Sequence, residues 1–203
     1  MPLRVIHIGK CGGASTISIL TKNKIEHIPI HVIKPVYNEI HKYLIVIRNP
    51  ICRFISAFNW RYKLIVLDKT QKSKRIGETE TLIKYNCVNN LAENIADFGV
   101  NKPNIGHIVQ DIDFYLGDFL QVCKKENIIG VVTQENLNDD INQIFNICNN
   151  NTRINKNNTK TDKYLSDLGY DLLKKHLHKD YECIDKLFAM GCLSQKQYDI
   201  LSK

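Results

Sequence analysis

Two short segments carry residue types that suit a bound anion. The first is His7-Ile8-Gly9-Lys10-Cys11-Gly12-Gly13-Ala14-Ser15-Thr16. Glycines between a strand and a helix let the backbone wrap a phosphate, and the helix start offers N–H groups and the positive end of its dipole. Lys10 adds a full charge, and Ser15 and Thr16 add hydroxyl donors. The lysine of a Walker A loop follows its glycines, whereas Lys10 precedes the Gly12-Gly13 pair, so this is a different phosphate loop. The second segment is Arg48-Asn49-Pro50-Ile51-Cys52-Arg53-Phe54-Ile55-Ser56-Ala57-Phe58. Arg48 closes an apolar run and Ser56 follows about two helical turns later, so both can reach a second phosphate. Singly, Arg48 reads as a surface ion-pair residue and Ser56 as an ordinary helix position. It is the pair of segments that points to a ligand with more than one phosphate.

Both segments need a strand behind them and a helix ahead. Residues 4–8 (RVIHI) are short and β-branched and run into the glycine turn, which predicts a buried strand. Residues 14–20 follow as a helix. Residues 43–47 (YLIVI) are a continuous apolar run, the pattern of a strand covered on both faces. Pro50 suits the first turn of the next helix, where its missing N–H costs nothing, and Ile51, Phe54, Ile55 and Phe58 recur at helical spacing. Further on, 61–80 reads as a polar, basic loop, 82–98 as a helix, 128–133 (IIGVVT) as a third strand and 136–148 as a helix. Residues 149–161 read as an Asn-rich loop and 165–187 as one or two helices. Gly191 breaks the pattern and Ser194 can cap a last helix to 201. Strands alternating with helices predict an α/β fold with a mainly parallel sheet. A domain over 1–190 and a short C-terminal helical extension over 191–203 are expected.

The two phosphate segments together resemble the sulfotransferase superfamily, which uses 3′-phosphoadenylyl sulfate (PAPS). HIGKCGGAS resembles that family's loop around the 5′-phosphosulfate, and IRNPICRFISAF its element around the 3′-phosphate. The closest branch is that of the carbohydrate (Golgi-type) sulfotransferases and their short microbial or viral relatives. Val109-Gln110, Tyr115-Leu116, residues 131–140 (VVTQENLNDD), Asn158-Thr159 and His178-Lys179-Asp180-Tyr181 extend the likeness over about 4–188, more weakly. The resemblance implies a three-layer P-loop-like α/β fold and transfer of a sulfuryl group to a hydroxyl acceptor, in the first place a carbohydrate. It implies Lys10 at the leaving phosphate, the backbone of Gly12, Gly13, Ala14, Ser15 and Thr16 around the 5′-phosphate, and Arg48 and Ser56 at the 3′-phosphate. It implies PAPS as donor, 3′-phosphoadenosine 5′-phosphate (PAP) as product and no metal. A base for the acceptor proton is expected between the two segments, where Glu26, His27, His31, Glu39 and His41 lie; His27 is the first choice and His31 the second. Gly9 and Cys11 depart from the family's usual proline and threonine, and Cys11 lacks a hydroxyl that contacts the phosphosulfate. Arg53, Arg61, His107 and Lys160 are further candidates for the cleft.

The 203 residues carry a formal charge of +7, with 43% hydrophobic and 24% charged residues, which excludes a collagen, a coiled-coil rod and a wholly disordered chain. No apolar run is long enough to span a membrane, and the first residues do not read as a signal peptide, so a cytoplasmic location is expected. The seven cysteines contain no CxxC pair and read as reduced thiols. The sequons at 150–152 and 157–159 read as ordinary loop. The basic run 61–75, with Trp60 beside it and Tyr62 within it, keeps a nucleic-acid-binding reading open, although it equally forms a solvated loop or meets an anionic glycan. A kinase-like phosphotransferase and a non-catalytic anion-binding protein complete the alternatives.

Overall fold

The computed structural model describes residues 1–98, 104–147 and 162–203. Four strands, β1 (Leu3–His7), β2 (His27–Ile30), β3 (Tyr43–Ile47) and β4 (Ile128–Thr133), form one sheet in the order β2-β1-β3-β4. Every neighbouring pair is parallel. The chain is therefore α/β with a parallel sheet, as the alternation of strand and helix patterns predicts. All five residues of β3 are buried, and its one polar side-chain atom, the Tyr43 hydroxyl, is satisfied by accepting from Asn38 N at 2.8 Å.

The route of the chain creates the site. After β1, helix α1 (Gly13–Lys22) leads to β2 on one side of β1, and the chain then returns to place β3 on the other side. The sheet order reverses between β1 and β3. In open parallel sheets such a switch point leaves a crevice at the C-terminal strand ends, because the two connections depart in opposite directions. Lys10 follows β1 and Arg48 follows β3, so topology alone sends both of these segments to that crevice.

The edges are closed differently. Strand β2 carries Pro29, which has no N–H to donate and is tolerated at an edge. Sequence patterning misses β2, because four residues with a central proline lack an apolar run. At the other edge, Gln197 of α9 (Gln195–Leu201) donates to the Val131 carbonyl at 3.0 Å. Ser194 starts α9 with a capping box to Gln197. Leu193 and Leu201 are buried in the same core as the strands, so residues 191–203 pack on the body of the sheet.

A second core lies among α2 (Pro50–Tyr62), α3 (Glu78–Tyr85), α4 (Val88–Glu93) and α7 (Asp167–His176), with Phe54, Phe58, Leu82, Leu91 and Leu173 buried in it. The expected loop over 61–80 is partly helical: α2 runs into a π-helical turn, Lys63–Leu67, and Ile65 buries there. The expected single helix over 82–98 breaks at Asn86, whose φ of 48° puts it in the left-handed region and ends α3. Helices α5 (Ile112–Val122), α6 (Leu137–Phe145) and α8 (His178–Ala189) complete the described helical elements. Cys148, the Asn-rich stretch with both sequons, Asn158, Thr159 and Lys160 lie outside the described residues. Among the described residues, no helix is long and apolar enough to cross a membrane.

Candidate functional site

A cavity of about 1110 Å³ opens at the C-terminal ends of the strands. Lys10, Gly12, Gly13, Ala14, Ser15, His31, Arg48 and Ser56 all line it. The two phosphate segments touch there: Arg48 Nη1 donates to the Lys10 carbonyl at 3.4 Å. Arg48 Nε has no hydrogen-bond partner among the described residues and stands 3.7 Å from Glu135 Oε1. Nε is buried against Glu135, but the guanidinium has further N–H groups beyond these two contacts, and a half-buried guanidinium lining a cavity is suited to a phosphate.

The first loop is shaped for the same task. Gly12 at φ 87° caps α1, and Gly13 and Ala14 begin its first turn, whose N–H groups have no acceptor within the helix. Thr16 behaves otherwise. Its N–H donates to the Gly12 carbonyl at 3.1 Å, its Oγ1 to the same carbonyl at 3.3 Å, and it is fully buried. The expectation that Thr16 contacts an anion is thus corrected: it secures the start of the helix. Cys11 also turns inward, with its thiol against the Gly9 carbonyl at 3.8 Å. Burial pushes that thiol up to about 12 and keeps it neutral. The hydroxyl it lacks relative to threonine would therefore sit in the core, away from the cavity.

The candidate bases separate by their position along the sheet. His27 pairs in register with Leu3, at the N-terminal end of the strands. His31 lies four positions further, about 13 Å along an extended chain, at the cavity end. His27 Nδ1 bonds to the Ile25 carbonyl at 2.7 Å, and His27 does not line the cavity. The first choice of base is corrected for this reason. Glu26, Glu39 and His41 share the far end of the sheet: the Glu26 carbonyl accepts from Leu3 N, Glu39 pairs with Lys124 at 3.5 Å, and His41 meets Arg4 at 3.5 Å. His31 alone of these five reaches the cavity.

His31 does not stand by itself. Its ring stacks on His7 at 4.2 Å between centroids and lies 6.1 Å from His107 on the other side. His31 Nδ1 donates to the His7 carbonyl at 2.7 Å, which leaves the Nε2 lone pair available to accept a proton. Burial, then the neighbouring His31, lowers His7 to about 4. Burial, then the charge of Lys10, lowers His107 to about 4. Two neutral rings therefore flank His31. Glycine makes this approach possible: a Cβ on Gly13 would fall 1.7 Å from the His7 ring, and one on Gly9 would fall 2.6 Å from His107 Nδ1. Burial, then Arg48, lowers Lys10 to about 8, and its Nζ lies 4.2 Å from the centre of the Trp60 ring.

Residues around the row hold it in place. Arg53, expected in the cleft, is fully buried and donates to the carbonyls of His107 and Gln110. Gln110 Nε2 donates to the Val32 carbonyl at 3.0 Å, and Val32 N donates to the Tyr115 hydroxyl at 3.0 Å. Gln110 and Tyr115 thus clamp the residue next to His31. Arg61 is bound to the buried Glu78 through two bonds of 2.8 and 2.9 Å, and Glu78 Oε1 also accepts from Gly106 N at 2.8 Å. No residue of the basic run 61–75 lines the cavity among the described residues. Lys163, Trp60, Glu135 and His7 do line it. Sequence reading missed the site role of each; only the fold brings their distant positions together. No family model, curated protein or solved structure compared with this chain matches it.

Proposed function

We propose that this chain is a sulfotransferase that moves the sulfuryl group of PAPS to a hydroxyl acceptor, with a carbohydrate hydroxyl as the acceptor class. The three-layer sulfotransferase arrangement and the carbohydrate branch belong to this reading. The observation that carries it is the meeting of Lys10, Arg48 and His31 at one cavity on the switch point of the sheet. Had Lys10 and Arg48 faced different cavities, one ligand phosphorylated at both ends could not bridge them. The volume lies at the top of the range for small-ligand clefts, which leaves space beside a nucleotide for part of an acceptor.

The residues divide the work as follows. The N–H groups of Gly13 and Ala14 at the start of α1 face the 5′-phosphate, with Ser15 beside them. Arg48, through its spare donors, and Ser56 hold the 3′-phosphate. The donor supplies the sulfuryl group when bound. His31 Nε2 takes the proton of the acceptor hydroxyl as that oxygen bonds to sulfur. The Lys10 ammonium faces the oxygen that keeps the electron pair when its bond to sulfur breaks, and its charge stabilises the developing phosphate. The Arg48 charge disfavours the Lys10 ammonium, so an incoming polyanion relieves that repulsion.

Calorimetric titration with PAP tests the cleft, and transfer of labelled sulfate from PAPS tests the reaction. Saturable PAP binding that is lost in both Lys10→Ala and Arg48→Ala supports the reading, provided that both variants fold. Normal sulfate transfer in either variant overturns it. A phosphotransferase reading draws on Glu135 and Asp139, two carboxylates on the same cavity wall. Competition between ATP and PAP decides between the two, and preference for ATP favours the phosphotransferase.

A further inference from the structure

We infer that Trp60 is a positioning residue for Lys10: its ring holds the Lys10 ammonium while the cavity contains no anion, and gives it up to an anion that enters. The Lys10 Nζ stands 4.2 Å from the ring centre, and both residues line the cavity. Among the described residues, no carboxylate forms an ion pair with Lys10. A second cation, Arg48, binds the Lys10 backbone carbonyl and lines the same cavity, and Lys10 itself is half-buried. The negative face of the indole is the attraction within its reach. The loop also fixes where this side chain begins, because Lys10 adopts φ 70°, a left-handed conformation that lysine seldom takes.

A cation held on an aromatic face is bound more weakly than one in a charge-assisted hydrogen bond to a phosphate oxygen. An anion in the loop therefore outcompetes the ring. Release has a second consequence: it frees the indole face toward the cavity, where an acceptor must approach. The proposed role of Lys10 at the leaving phosphate is assumed here, but the test does not depend on it.

Trp60 is the single tryptophan of the chain, so its emission reports this site alone. In the ligand-free full-length protein, the ring current should move the Lys10 side-chain ε-CH2 resonance upfield. Trp60→Phe, which keeps an aromatic face, should retain most of that shift, and Trp60→Leu should abolish it. Titration with inorganic pyrophosphate should return the resonance toward its ordinary position and change Trp60 emission saturably. The emission response should vanish in Lys10→Met. An ordinary Lys10 resonance in the ligand-free protein overturns the inference. So does an emission response that is the same in Lys10→Met, or no response to pyrophosphate. PAP calorimetry separates the two proposals: absent PAP binding with an intact pyrophosphate response defeats the sulfotransferase reading alone, and PAP binding with an unshifted Lys10 resonance defeats this inference alone.

Discussion

Lys10 combines two demands that pull against each other. Burial and the neighbouring Arg48 lower its pKa to about 8, yet the task proposed for it at a leaving phosphate needs the charge. The ammonium is present below that value and is lost as pH rises through it. PAP affinity should therefore fall above about pH 8, and Lys10→Arg should flatten the decline because a guanidinium stays charged. Calorimetric titrations from pH 7 to 9.5 measure this. For His31→Ala the proposed mechanism expects lost sulfate transfer with PAP binding retained, since it gives Nε2 the acceptor proton and not the nucleotide. Loss of both would assign His31 to the nucleotide. Gly13→Ala drives a methyl into the His7 ring, and overpacking of this kind costs about 1–3 kcal/mol. Its melting temperature should drop, and an unchanged value would show that the His7 ring moves aside freely. At this scale the glycines were legible as a tight turn between strand and helix. Their second duty, admitting two histidine rings, was not, because His107 lies almost a hundred residues from Gly9 and no local pattern links them.

The elements around the site are joined by a few buried polar groups. Glu78, at the start of α3, ties Arg61 at the end of α2 to Gly106 beside His107. Burial disfavours its charge, but the bonds from Arg61, Ser73 and Gly106 outweigh that and hold the carboxyl below its usual value. Removing one partner of a buried ion pair costs about 3–5 kcal/mol, so Glu78→Ala should be among the most damaging single changes. Chemical denaturation measures the loss, and a cost below about 1 kcal/mol would mean that the pair is dispensable. Asn49 joins other elements: Oδ1 accepts from Cys52 N at 3.0 Å to cap α2, while Nδ2 donates to the Lys203 carbonyl at 2.9 Å. Loss of the cap alone costs about 1 kcal/mol. Asn49→Ala should exceed that figure and should also speed amide exchange in α9. The Asn-Pro start of α2 and the Ser194 cap of α9 could be read from local residue types. Neither the link from Asn49 to the C-terminus nor the left-handed Asn86 between α3 and α4 could, since both depend on what the rest of the chain packs against.

Across the molecule, stability should depend on acid through the two flanking histidines. The fold holds His7 and His107 neutral at about 4, below the ordinary histidine value of 6.5. The unfolded chain thus binds more protons at these two rings between those limits, and their contribution to stability falls as pH drops from about 6.5 toward 4, against the opposite trend of Asp180, whose carboxyl burial raises to about 7. Melting curves at pH 7 and 4.5 should show this loss, and His107→Asn should diminish it. An equal loss in that variant would place the acid sensitivity elsewhere.

The α/β class of the fold, and the placing of a lysine and an arginine at the ends of two strands, could be read directly from the chain, because both depend on local pattern: β-branched runs before glycine or proline turns. Which histidine reaches the cavity depends on something no local pattern carries. It follows from the register of β2 against β1, which puts His27 at one end of the strands and His31 at the other. The same holds for the meeting of Lys10, Trp60 and Arg48, set by the reversal of strand order and by how α2 packs among α3, α4 and α7. Strand direction and side-chain type are properties of short segments; register and strand order come only from packing the whole chain around its core.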